Sequence, residues 1–264
     1  MKLILVGAGW LARQLWQPLQ QAGFTVCLTS RSVQTAAEFG TAGLVLPLNG
    51  DELQDQRVLQ LFAGAVVVCL IPASRQQPQL YLSAVDALAA LMQKAGSLAC
   101  IHISSTGIYQ GLTGLVSENS RLKLTDPRVK LLFEAELRLQ RSRDVCTLRL
   151  SGLIGPGRHP GRFLAGNVSS DPDGAVNMVH SSDVAAFMLQ VLQQRLWPAV
   201  FNLSCPQFCT RRAFYLKACA DLGGPEPVFA DKAAPGRQID SSKSLQIAGF
   251  QYGCLSAIDA IASC

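Results

Sequence analysis

Leu3-Ile4-Leu5-Val6-Gly7-Ala8-Gly9-Trp10-Leu11-Ala12 decides how this 264-residue chain is read. Four apolar strand-forming residues run into a glycine pair, and an amphipathic segment follows at once. That is the order strand, tight turn, helix. Gly7 suits the turn, Gly9 lets a backbone approach a bulky anion, and Ala12 is small enough for the helix to pack onto the strand. Amides at a helix start, with the positive end of the helix dipole, suit a pyrophosphate. The GxGxxA spacing behind a strand of buried type therefore points to a dinucleotide-binding βα turn. Two other readings compete. Lys2 ahead of an apolar run could open a secretory signal, but a glycine turn interrupts the run, no small-residue cleavage pattern follows, and Arg13 arrives too early. A βα turn without a ligand is the plainer alternative.

Working outward, the segment from Trp10 to about Ala22 puts Leu11, Leu15 and Leu19 on one face and glutamines on the other. Pro18 should bend or loosen its last turn, and Gly23 ends it. Phe24 to Leu28 reads as the second strand, finishing at Thr29-Ser30-Arg31-Ser32. In a dinucleotide fold this end meets the adenosine ribose, where an acidic residue would hold the two hydroxyls and an arginine suits a 2′-phosphate. No acidic residue is present, and Arg31 stands between Ser30 and Ser32. NADP(H) is favoured, with NAD(H) the alternative. The competing reading makes Arg31 an exposed helix-start residue touching nothing.

Further strands are expected at Leu44–Leu46, Ala65–Ile71, Leu98–Ile103 and Val145–Leu150. Helices are expected from Pro78 to Ala95 and, with Asp126 as cap and Pro127 first, to about Arg141. The loop Pro72-Ala73-Ser74 would line a cofactor cleft. This alternation predicts an α/β fold: a Rossmann-type doubly wound parallel sheet with its ligand at the strands' C-terminal ends. Beyond Leu150 the texture changes to a glycine-proline loop at 155–161 and shorter elements, with helices at Ser182–Gln193 and Thr210–Leu222. The expected organisation is a dinucleotide-binding core at 1–150 and a smaller substrate-covering lobe at 151–264, with segments returning to the core.

A hydrophobic content of 49% against 16% charged residues describes a large core. No apolar segment reaches the ~18 residues of a membrane span. The net charge of +5 is scattered, so a nucleic-acid partner is not expected, while a mild attraction for phosphorylated small molecules is. Of nine cysteines, Cys27, Cys69, Cys100 and Cys146 fall inside expected strands, where a free thiol behaves as a small apolar residue. No CxxC occurs and the three histidines are far apart, so no metal site is expected. The odd, unpatterned count fits a reducing cytoplasm. His102, inside a strand, is expected to be a satisfied interior histidine.

Four stretches carry a resemblance: GAGWLA at 7–12, SSTGIY at 104–109, RLSGLIGPGRHPGRF at 149–163 and VHSSDVA at 179–185. In this order they resemble the extended short-chain dehydrogenase/reductases, the group of nucleotide-sugar epimerases and dehydratases. The GxGxxA spacing departs from the GxxGxxG usual there and suggests a divergent branch. The resemblance implies a nicotinamide cofactor held by Gly7, Gly9, Trp10, Leu11, Ser30, Arg31, Ser32, Leu70, Ile71, Pro72, Ser104 and Leu153. Ser105 takes the place of the family's active-site serine or threonine, its alternative being a strand-end cap. Tyr109 matches a tyrosine that usually packs structurally, though it stays a catalytic candidate.

The family's acid/base is a tyrosine with a lysine four residues later, one helical turn apart, so that the ammonium lowers the phenol pKa. This chain has no tyrosine between Tyr109 and Tyr215. With Lys130 as the lysine, the tyrosine's position falls on Asp126 and a family glutamate's on Glu134. Such an Asp and Lys more often make a cap and a surface ion pair. Arg158 and His159 could hold an anionic substrate or a diphosphate, the alternative being a loop arginine that is only solvated. Asn177 and His180 fall in a region near the family's substrate side, with Asp183 expected to cap the following helix. The implied function is an NAD(P)-dependent oxidoreductase or epimerase/dehydratase-like enzyme acting on a small polar substrate such as a nucleotide sugar, with a homodimer an admissible assembly. The alternative is a catalytically silent NADP(H)-binding redox sensor or interaction protein.

Overall fold

The computed structural model describes residues 1–141, 144–164, 168–169, 171–230 and 236–264. In chain order the first elements are β1 (Lys2–Val6), α1 (Trp10–Gln21), β2 (Thr25–Ser30), α2 (Val33–Ala37), β3 (Gly43–Val45), α3 (Gln56–Phe62), β4 (Val66–Cys69), α4 (Pro78–Ala95) and β5 (Ala99–Ser105). Then follow β6 (Gly114–Val116), α5 (Pro127–Gln140), β7 (Val145–Leu150), β8 (Gly152–Ile154), α6 (Gly161–Leu164), β9 (Val168–Ser169), β10 (Met178–His180), α7 (Ser181–Gln194) and β11 (Ala199–Leu203). The last elements are α8 (Arg211–Asp221), β12 (Val228–Phe229), β13 (Arg237–Ile239) and α9 (Ser242–Leu245).

Seven strands form one sheet in the order β3-β2-β1-β4-β5-β7-β11. The pairs β1 with β2, β1 with β4, β2 with β3 and β4 with β5 are parallel. Growth of the sheet reverses between β1 and β4, and the carboxyl ends of the strands at such a reversal are where open α/β sheets receive ligands. β1 shows why this sheet is doubly wound. Ile4 and Val6 join a buried cluster with Phe62 of α3, Leu88 of α4 and Leu139 of α5. Leu3 and Leu5 are equally buried, and the strand's period of two sends them to the opposite face. Leu15 and Leu19 of α1 are fully buried outside that cluster, each such burial stabilising by roughly 1.5–3 kcal/mol. Cys69, Cys100 and Cys146 lie buried in their strands as small apolar side chains.

The chain forms two compact units. The first comprises residues 1–108, 124–149 and 191–200, and the second 109–123, 150–190 and 201–264. The chain therefore passes between units more often than one cut after Leu150 describes. The second unit is built from three parallel two-strand pairs, β6 with β13, β8 with β10 and β9 with β12. It has its own core, centred on Ile154, Phe214, Ala218 and Ile261.

Several segments differ from the sequence expectation. The short α3 and the sheet strand β11 were not anticipated, and α2 matches only the alternative that put Arg31 at a helix start. Ser32 accepts from the Thr35 amide to start α2, and the Asp55 carboxylate accepts from the Arg57 and Val58 amides to start α3. Asp183 does not cap α7. It lies in the first turn, and its carboxylate accepts from the amides of Gly253 and Cys254, tying the C-terminal segment to the helix. No helix among the described residues is long and apolar enough to cross a membrane.

Candidate active site

The turn after β1 is made of backbone. Gly7 sits at φ +117°, a region that side chains rarely adopt, and its amide donates to the Thr29 carbonyl across 3.1 Å. A Cβ there would lie 3.1 Å from the carbonyl oxygen of Leu70, the residue following β4. This glycine therefore lets the two strand ends approach at the point where the sheet reverses. Gly9 has the opposite surroundings. It is the N-cap of α1, it supplies no capping side chain, and a Cβ built on it meets nothing within 4 Å. Leu11 and Ala12 are buried behind it and seat the helix on the sheet. The outcome is an uncapped helix start facing open space, which fits a diphosphate.

At the tip of β2 the two serines close the turn. Ser30 Oγ accepts from the Ser32 amide at 3.1 Å, and Ser32 Oγ caps α2. Arg31 between them is exposed, and no carboxylate pairs with it among the described residues. Beyond β4, Ile71 packs partly into the core and Pro72 is exposed.

The end of β5 separates two adjacent serines by the strand's alternation. Ser105 is half-buried and accepts the Gly107 amide at 3.0 Å. That bond uses an oxygen lone pair and leaves the hydroxyl proton for another acceptor. Ser104 was expected to touch the cofactor, but it points into the interior, where its Oγ donates to Glu136 Oε1 at 2.7 Å. Glu136 also accepts from Arg149 Nε at 3.0 Å and Nη2 at 2.7 Å, a bidentate pair buried on both sides. His102 is wholly buried, and among the described residues neither ring nitrogen has a partner. The expectation of a satisfied histidine is thus corrected on this point. Burial lowers its pKa to about 4, against a smaller raising effect of Glu136, so the ring is neutral at pH 7.

The residues placed on the missing tyrosine and lysine have other partners. Asp126 caps α5, its carboxylate accepting from the amides of Arg128 at 2.8 Å and Val129 at 3.2 Å. Lys130 is exposed and lies 3.8 Å from Glu134 one turn on. Tyr109 is fully buried within the second unit, and its hydroxyl donates to Asn202 Oδ1 at 2.8 Å. Cap, surface ion pair and core contact are the arrangements these three side chains make.

Within the second unit the four substrate candidates are likewise engaged. Arg158 Nε donates to the Leu153 carbonyl at 2.9 Å, and its guanidinium lies over the Phe163 ring. His159 is buried, with Nδ1 accepting the Gly161 amide. Asn177 bonds β13 through both ends of its amide, donating to the Arg237 carbonyl and accepting from the Ile239 amide. His180 is buried between Ser182 Oγ, 2.6 Å from Nδ1, and the Ser263 carbonyl, 3.2 Å from Nε2.

Sequence reasoning missed Arg128. Its Nη1 donates to the Ala73 carbonyl at 2.8 Å, and a Cβ built on Gly107 would lie 3.2 Å from Ser105 Oγ and 3.9 Å from Arg128 Nε. The guanidinium and the Ser105 hydroxyl thus flank one glycine. A signal was available: as second residue of a helix capped by Asp126, Arg128 projects from the first turn, at the end that follows the β5 loop.

A family model described as NAD(P)H-binding matches residues 7–195. Protein YeeZ of Escherichia coli K12 is 32% identical over 263 residues, covering 95% of each chain. Among solved structures, the human epimerase family protein SDR39U1 with NADPH is similar at 19% identity and a TM-score of 0.77, covering 99% of this chain and 98% of that one. The UDP-glucuronic acid 4-epimerase of Bacillus cereus in complex with NAD gives 15% identity and a TM-score of 0.79, covering 100% and 95%. The glycine cradle and the sheet reversal lie inside the matched span, and the chain is a member of the NAD(P)H-binding family, with the fold of the short-chain dehydrogenase/reductase epimerases and dehydratases.

Proposed function

We propose that this protein is an NADP(H)-dependent oxidoreductase or epimerase-like enzyme acting on a small polar substrate of the nucleotide-sugar kind. The observation that carries the reading is the open space over Gly9 at an uncapped helix start, beside the strand crossing that Gly7 permits. When bound, the nicotinamide supplies hydride chemistry at C4. The first-turn amides of α1 hold the diphosphate, and Arg31 holds a 2′-phosphate. The Ser105 hydroxyl donates to the substrate oxygen on the reacting carbon. Asp126, Lys130 and Tyr109 are engaged elsewhere, which leaves water to carry the proton. The NADPH of the human protein and the NAD of the Bacillus cereus enzyme support a nicotinamide cofactor, and the UDP-glucuronic acid named for the latter supports the substrate class.

Equilibrium titration of Arg31→Ala tests the cofactor. NADPH should weaken about tenfold or more, as loss of a charge-assisted contact implies, while NADH changes less than about twofold. Equal losses overturn the NADP(H) preference. The engagement of Asp126 and Lys130 also favours a second reading, a cofactor-binding sensor without turnover. Single-turnover oxidation of NADPH across sugar nucleotides and small carbonyls separates the two, since absorbance loss with any of them excludes the sensor.

A further inference from the structure

The first unit carries a pair of cations that the cofactor cradle does not use. Arg128 is half-buried at the start of α5 and is held in place by the Ala73 carbonyl. Arg75 is exposed two residues further along the same loop. The bond to Ala73 brings Arg128 to the loop that carries Arg75, and burial first, then the Arg75 charge, lower the Arg128 pKa. Among the described residues no carboxylate forms an ion pair with either one. Placing two like charges together without a counterion is unfavourable unless an anion joins them. The Asp126 carboxylate already takes the α5 amides of Arg128 and Val129, so attraction at this point comes from the side chains.

The location says what such an anion belongs to. Ala73 and Arg75 follow β4 and Ser105 ends β5, so the pair lies at the carboxyl ends of neighbouring parallel strands, where open α/β sheets receive ligands. Arg128 and Ser105 flank Gly107. An arginine stays protonated and cannot replace a tyrosine as an acid/base, but its planar fork fixes a carboxylate or phosphate in orientation. We propose that Arg128 and Arg75 form an anion subsite beside Ser105 that grips a carboxylate or phosphoryl group of the substrate. The subsite orients the substrate so that its reacting oxygen meets the Ser105 hydroxyl. It rests on the dinucleotide reading only for the hydride chemistry it positions.

The test uses the full chain, first titrated with NADPH by fluorescence. Oxalate and inorganic phosphate are then titrated calorimetrically with and without NADPH. At least one anion should bind without displacing NADPH, and the tighter of the two identifies a carboxylate or a phosphoryl group. Arg128→Gln should weaken that anion by about tenfold to a hundredfold, the range for a hydrogen bond to a charged group, with NADPH affinity unchanged. Arg75→Gln, at an exposed position, should weaken it in the same direction and carries the test if Arg128→Gln does not fold. Anion affinity unchanged in Arg75→Gln and in any folded Arg128→Gln overturns the proposal. So does displacement of NADPH one for one, which would give the pair to the cofactor's phosphates. If NADPH does not bind the wild type but anion binding persists and is lost in the variants, the subsite stands and the dinucleotide reading falls.

Discussion

The starts of α1 and α5 are built in opposite ways on the same sheet. Gly9 opens α1 with no capping side chain, whereas Asp126 opens α5 with a carboxylate that accepts two of its amides. At Gly9 the groups offered to an anion are backbone, and the space where a side chain would stand is open. Around α5 the polar groups largely satisfy one another, through the Asp126 cap, the Lys130–Glu134 pair and the buried link from Ser104 through Glu136 to Arg149. A helix start attracts a ligand when the protein withholds its own cap. The difference separates a helix start that offers its backbone to an anion from one whose amides are already taken, where only side chains such as Arg128 remain to attract one, and substitutions can break it from either side.

The largest effect should come from Arg149→Met. It leaves Glu136 as an unpaired buried charge and should cost about 3–5 kcal/mol in urea unfolding, while the folded fraction keeps its NADPH affinity. Removing the charge as well, with Arg149→Met plus Glu136→Leu, should recover part of that loss. A double variant no more stable than the single one would mean that the ion pair is not what the core depends on.

His102 gives the next effect through pH. Its folded pKa of about 4 lies below the ordinary value of 6.5. Above 6.5 both states are neutral. As pH falls from 6.5 to 4 the unfolded chain takes a proton that the folded chain refuses, so stability falls, by roughly 3 kcal/mol for this group. His102→Leu should flatten the stability curve across that window, and a curve that keeps its full slope would assign the acid sensitivity to carboxylates.

Converting the first helix start into the second is the direct test. Gly9→Asp supplies α1 with the cap it lacks, so stability should stay within a few tenths of a kcal/mol or rise. The introduced carboxylate takes the amides and repels phosphate, and NADPH should bind roughly thirtyfold more weakly, about 2 kcal/mol. Undiminished affinity would show that the diphosphate does not sit there.

The smallest effect is the reverse operation. Asp126→Ala removes the α5 cap and should cost about 1 kcal/mol. Lys130→Met should change stability by less than about 0.5 kcal/mol, as expected of an exposed pair. A much larger loss for Lys130→Met would give that lysine a role beyond the surface.

What the sequence determined by itself is local and periodic. The run Leu3–Val6 into Gly7, the Pro78–Ala95 helix, the Asp126-Pro127 start and the Val145–Leu150 strand were legible because caps, turns and apolar spacing act over a few residues. The cradle glycines were legible for the same reason, since a positive φ and an open N-cap depend on the residue in place. What only the tertiary structure decided is where each polar side chain finds its partner. Ser104 and Ser105 look alike in sequence, yet the strand sends one to Glu136, 32 positions away, and leaves the other at the strand's tip. Arg128 meets Ala73 across 55 positions, and Asn177 meets β13 across about 60. Such pairings depend on register and packing between distant segments, which no local spacing encodes, and they determine which side chains remain for a ligand.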